Sequence, residues 1–169
     1  ARRTVINATT GDFVWDIMSW STQGEAAFAD GIMVSWNGYD KQIYTFGKGP
    51  TKATINAPQV GITTETPITI IGSITDISAG ASQDAVASNF PNGLPCVSDS
   101  SMSRFMEAVY QQQPMPTNLT GVPITINVVD SNGNYRTIGT AVSNAYGTYS
   151  LTWTPDIPGD YTVIANFAG

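Results

Sequence analysis

Three features of this sequence predict an all-β protein. Alternating apolar and polar residues recur in short runs, as in Ile124-Thr125-Ile126-Asn127-Val128 and Tyr149-Ser150-Leu151-Thr152-Trp153. A period of two buries one face of a strand. Turn-forming groups separate the runs, among them Asp30-Gly31, Asn37-Gly38 and Asn132-Gly133, which take positive φ at little cost. Charged residues make up only 12% of the 169, about half the usual share. Thr, Ser, Asn and Gly supply the polar surface instead, a composition that favours an exported β-protein.

The clearest pattern lies between Gly121 and Gly169. Strands are predicted at about 122–129, 135–142, 148–154 and 160–167. Asp130 to Asn134 forms a hairpin turn, and Ser143 to Gly147 turns the chain again. Pro155 and Pro158 stop the third strand, because proline cannot donate to a ladder. In the last strand Tyr161, Val163, Ala165 and Phe167 share one face. Gly147–Pro155 (GTYSLTWTP) with Pro158–Gly169 (PGDYTVIANFAG) resembles the end of an immunoglobulin-like β-sandwich of archaeal cell-surface and secreted proteins. The resemblance covers about the last third of the chain. It implies that Tyr161 is a corner tyrosine, its hydroxyl bonded to nearby backbone, and that Trp153 is a core ring. It implies a fold and a location, not an activity.

Residues 1–48 read as a β-meander. Strands are predicted at Thr4–Asn7, Asp12–Ile17, Glu25–Ala29, Gly31–Trp36 and Gln42–Phe46. Asn7–Trp15 (NATTGDFVW) and Ala29–Gly47 (ADGIMVSWNGYDKQIYTFG) resemble parts of successive blades of a pyrroloquinoline-quinone-type β-propeller. With the sandwich that follows, the chain is similar to the C-terminal region of archaeal propeller proteins. A propeller needs roughly four to eight blades, and these residues hold strands for about one. The blade is therefore expected to pack on the sandwich, on another copy or on a part of a longer polypeptide. No quinone or metal ligand carries over.

Lys48-Gly49-Pro50 marks a boundary, and 49–169 reads as the sandwich, with further strands at 51–58 and 67–75. Residues 76–120 are an insertion. Ser78–Ser88 reads as a loose loop and Asn89–Pro95 as irregular. Ser98-Asp99-Ser100-Ser101 offers helix N-caps. Met102, Phe105, Met106, Val109 and Tyr110 then follow at helical spacing, predicting one amphipathic helix over about 100–112, ended before Pro114. The helix either covers an open end of the sandwich or docks a partner through Met102, Phe105, Met106 and Val109.

The chemistry is sparse. The chain has no histidine, which removes the usual general base and commonest metal ligand. No catalytic residue, cofactor or metal site is nominated. Asp130-Ser131-Asn132-Gly133-Asn134 spaces oxygen ligands as calcium loops do, yet lacks the downstream bidentate Glu and the glycine at the sixth place. A hairpin turn accounts for it. The net charge of −6 argues against a nucleic-acid surface. No run of about 18 apolar residues spans a membrane, and no signal-peptide pattern occurs, so an exported form would be a mature or trimmed chain. The single cysteine, Cys96, is a buried thiol or an intermolecular bridge. Asn118-Leu119-Thr120 and Asn7-Ala8-Thr9 are acceptor sequons for glycans at Asn118 and Asn7. Trp15, Trp20, Trp36, Tyr39 and Tyr44 are core aromatics or a sugar- or partner-binding face.

Six sandwich strands are visible, and a seven-strand immunoglobulin-type fold wants one more. Tyr161, Val163, Ala165 and Phe167 would then line an open edge, which invites pairing. A strand from residues 1–46, or its counterpart in another copy, is expected to complete the sheet. The reading is a non-enzymatic extracellular subunit, a homo-oligomer or polymer that forms filaments at the cell surface. The rivals are the C-terminal piece of a secreted propeller protein and an adhesion or carbohydrate-binding module.

Overall fold

The computed structural model describes residues 1–21 and 26–169. The predicted strand start at Glu25 lies outside the described residues. The described residues are mostly β, in several small sheets with two short helices. It divides into two compact units: Ala1–Pro50 with Val97–Leu119, and Thr51–Cys96 with Thr120–Gly169.

In the first unit β1 (Arg2–Ile6) pairs antiparallel with β2 (Phe13–Met18), and β3 (Ala26–Ala29), β4 (Ile32–Asn37) and β5 (Gln42–Phe46) form a meander. One face of the meander carries Met33, Tyr44 and Phe46. Trp15 of β2 stacks on Phe46 at 5.7 Å, and the Arg3 guanidinium sits 5.6 Å from the same ring. Ile17 is fully buried. Asn37, also fully buried, ties the strand ends: its Oδ1 accepts from the Trp20 and Tyr39 amides, and its Nδ2 donates to the Met18 carbonyl at 3.1 Å. At Gly38 a Cβ would fall 2.0 Å from the Trp20 ring, so this turn needs glycine for close approach.

The predicted helix is α2 (Asp99–Tyr110). Ser98 stands at its N-cap, without a side-chain capping bond. Residues 76–120 are not one insertion in the second unit. The segment from Val97 to Leu119 belongs with the first, where α2 lies on β2. Three polar side chains explain the placement. Ser103 Oγ accepts from the Asp16 amide at 2.9 Å, Glu107 Oε1 from the Met18 amide at 3.3 Å, and Gln111 Nε2 donates to the Met18 carbonyl at 2.7 Å. Spaced by four, they form one stripe on the helix and its cap. They satisfy the outer edge of β2 as a neighbouring strand would.

In the second unit β6 (Thr51–Asn56), β7 (Ile68–Asp76) and β11 (Thr148–Trp153) form one antiparallel sheet in the order β11-β7-β6, extended by the two residues of β8 (Leu94–Pro95) against β7. β9 (Pro123–Val129), β10 (Tyr135–Val142) and β12 (Thr162–Asn166) form the other, in the order β10-β9-β12. A shared core of Ile70, Ile74, Ile124, Ile126, Ala141 and Tyr149 lies between them. The Asp130–Asn134 turn joins β9 to β10 as a hairpin, with Gly133 at φ 82°. The Ser143–Gly147 turn instead carries the chain from one sheet to the other.

Two segments differ from expectation. Residues 84–89, read as the end of a loose loop and the start of an irregular stretch, form a helical turn α1 (Asp84–Asn89) that buries Val86. Leu94 and Pro95, read as irregular, are both buried in β8. Neither segment is long enough to show a period.

Candidate assembly edge

β12 follows from local chemistry. Its register runs from Thr162 opposite Val129 to Asn166 opposite Thr125. Among the described residues β9 is its only sheet partner, so its outer backbone edge is open. β6, the edge strand of the facing sheet, runs nearby without pairing to it.

The start of β12 is held by Tyr161. Its hydroxyl donates to the Ile157 carbonyl at 2.8 Å and accepts from the Ile157 amide at 3.2 Å. Its ring meets Trp153 edge-on, 5.0 Å between centroids. Beneath this corner Arg136 forks onto Asp156, with Nη1 to Oδ2 at 2.5 Å and Nη2 to Oδ1. The guanidinium, by direct hydrogen bonding, holds the Asp156 carboxyl down to about 2 from its ordinary 3.8. At the neighbouring turn Asp130 also lies below its ordinary value, chiefly because Asn134 donates to it from side chain and backbone. Its oxygens are satisfied by the hairpin itself.

The four residues assigned to the edge do not present side chains to solvent as a patch. Val163, Ala165 and Phe167 are half-buried against the core, and Tyr161 is half-buried at the corner. The exposed alternates are Thr162, Ile164 and Asn166. What the edge offers is backbone N–H and C=O groups, with an apolar flank behind them. The strands of residues 1–46, expected to complete this sheet, are paired with one another in this chain.

Of the helix stripe, Phe105 is buried, and Met102, Met106 and Val109 are half-buried. The sequence pattern missed Ser103, Glu107 and Gln111, though their spacing by four was visible in it. Asn118 is exposed in an irregular segment. Asn7 is exposed too, but its Oδ1 accepts from the amides of Thr9 and Thr10 and so closes its own turn. Trp15 packs on Phe46, whereas Trp20, Trp36 and Tyr39 are exposed. The Cys96 thiol is half-buried, and burial, helped by Asp76, pushes it up to about 11.

A shallow cleft of about 620 Å³ opens beside β6, lined by Thr54, Asn56, Ile71, Asn144, Tyr149 and Ser150 among others. No carboxylate lines it. Among the described residues no three Cys, Asp or Glu side chains converge as a metal site would require, and no helix is long and apolar enough to cross a membrane. A scan against protein-family models finds no match for the chain, and a search of curated proteins finds none either.

Proposed function

We propose that the chain is a non-enzymatic extracellular structural subunit that self-assembles at the cell surface by β-strand complementation, forming filaments. The observation that carries this reading is the open outer edge of β12. The strand orders β11-β7-β6 and β10-β9-β12 support an immunoglobulin-like sandwich. They correspond to strands E-B-A and C′-C-F of that fold, and the neighbour of F, strand G, is the position without a partner. The hydroxyl of Tyr161 on the backbone of Ile157, four residues upstream, is what a corner tyrosine at the start of strand F does. Low charge and exposed sequons at Asn7 and Asn118 suit a glycosylated surface protein. An open edge filled head-to-tail by successive copies gives a filament when the rotation between copies does not close a ring.

Light scattering over a concentration series, with electron microscopy of the same samples, tests this. The expected result is mass growing with concentration and fibres in the micrographs. Ile164→Lys places a charge on the exposed side of the edge strand and should return the protein to monomer, with an unfolding temperature equal to that of wild type diluted below its assembly concentration. A wild-type monomer at high micromolar concentration refutes the proposal.

One observation favours a second reading, that the first unit is the last blade of a secreted propeller protein. The face of the meander turned away from Trp15 carries Ile32, Val34, Trp36 and Ile43, and Ile32, Trp36 and Ile43 are exposed. Another blade could stack there. The same face, through Trp36, is where an adhesion or sugar-binding role would act. Loss of glycan binding on Trp36→Ala would select that role.

A further inference from the structure

We propose that the donor strand is the segment Gln59–Thr63, between β6 and β7, which adds to the outer edge of β12 on a second copy of the chain. This rests on the strand-complementation reading above and names the partner of that edge.

The eleven residues 57–67 join two strands of one sheet without forming regular structure of their own, a length at which a loop usually has a use. Residues 58–65 are all exposed. Among the described residues no backbone group of 58–62 has a hydrogen-bond partner. Val60 is 74% and Ile62 43% exposed. Two residues apart, they fall on one face as soon as the segment extends. Gly61 between them has nothing within 4 Å of its Cβ position. Exposed, unpaired and with Val60 and Ile62 at strand period, the segment has the form an open sheet edge receives.

The β12 edge matches it. Thr162–Asn166 is five residues long and uncharged, and Gln59–Thr63 is also five residues long and uncharged. Neither carries the lysine that commonly guards a strand edge. Behind the edge, Val163, Ala165 and Phe167, with Ile55 and Ala57 at the end of β6, are only partly buried against the core. Val60 and Ile62 of an incoming strand would cover that flank while its backbone paired with β12. The segment follows β6 directly in sequence and makes no pairing in its own chain. Donor and acceptor are different surfaces, so the contact is head-to-tail and leaves each added copy with a free edge until a ring closes. The strands of residues 1–46 are poorer donors, because each is already held in a ladder.

The full chain carrying Val60→Asp and Ile62→Asp tests the assignment. Both positions are exposed, so the unfolding temperature measured below the assembly concentration should not move, while the apparent dissociation constant of assembly should rise at least tenfold. Unchanged assembly of this variant, with Ile164→Lys still monomeric, overturns the donor assignment and leaves strand complementation standing. If wild type itself never assembles, both fall. Disulfide mapping in a Cys96→Ser background supplies the positive arm. Copies carrying Gly61→Cys, which falls on the same face as Ile164 when Val60 and Ile62 cover the flank, mixed with copies carrying Ile164→Cys, should give a mixed disulfide dimer. Cross-links confined to Ile164→Cys copies overturn the proposal, and so does an intrachain bridge when both substitutions share one chain.

Discussion

Replacing Tyr161 by Phe isolates the hydroxyl that anchors the start of β12. The ring stays edge-on to Trp153, so the aromatic pair and most of the buried area survive. Lost are one bond donated to the Ile157 carbonyl at 2.8 Å and one accepted from its amide at 3.2 Å. A net hydrogen bond contributes about 0.5–1.5 kcal/mol. Because Ile157 is half-buried, water can recover part of that, and the expected loss is about 1–2 kcal/mol. For a domain of about 100 residues this lowers the unfolding midpoint by roughly 5–12 °C. The assay is thermal or urea unfolding followed at Trp153, the one tryptophan of its unit, with Trp15, Trp20 and Trp36 changed to Phe in both proteins. Hydrogen exchange should show the extra opening concentrated in β12, which β9 protects on one side only. A Phe variant within about 0.5 kcal/mol of its parent would refute the argument that this corner holds the edge strand.

Three further outcomes are expected. Gly72→Ala should destabilise the second unit by about 2–4 kcal/mol in urea unfolding: the new Cβ would sit 2.1 Å from the Thr54 carbonyl oxygen and 2.4 Å from the Tyr149 hydroxyl, forcing overpacking and breaking the 2.6 Å bond between them. Asp156 has a folded value depressed to about 2 from 3.8. Its bond to Arg136 therefore stabilises above about pH 4 and fades as pH falls toward 2. An Asp156→Asn variant should be less stable by a constant amount above about pH 5, with the difference from wild type shrinking as pH falls through that window. The Cys96 thiol, pushed up to about 11 by burial, should react slowly with a thiol reagent at pH 8 in the folded protein and quickly once urea unfolds it. Rapid folded-state labelling would contradict the burial.

The reach of sequence reasoning is plain from particular elements. Residues 42–46 and 135–142 stand as strands at the predicted residues, since alternation and turn chemistry are local properties of the chain. The Asn132-Gly133 hairpin and the reach of Tyr161 to Ile157, four residues away, are local as well. α1 and β8 escaped because each is held by a buried residue or two, too few to form a period. α2 was legible as a helix, but its place was not. Its apolar stripe said only that one face is covered, while Ser103, Glu107 and Gln111 chose the β2 edge by reaching amides and a carbonyl 87 to 93 residues away in sequence.

By itself, then, the sequence determined an all-β chain, the places of most strands to within a residue or two, the turns between them and most of the residues turned inward. Tertiary structure alone decided which strands share a sheet, that the Ser143–Gly147 turn crosses between sheets, which unit owns α2, and that β12 stands at the edge of its sheet with β9 its only sheet partner among the described residues. The reason is physical. A strand's period fixes which side chains it buries, but every strand offers the same N–H and C=O groups to any neighbour. The choice of neighbour is made by packing across the whole unit, which no local pattern encodes.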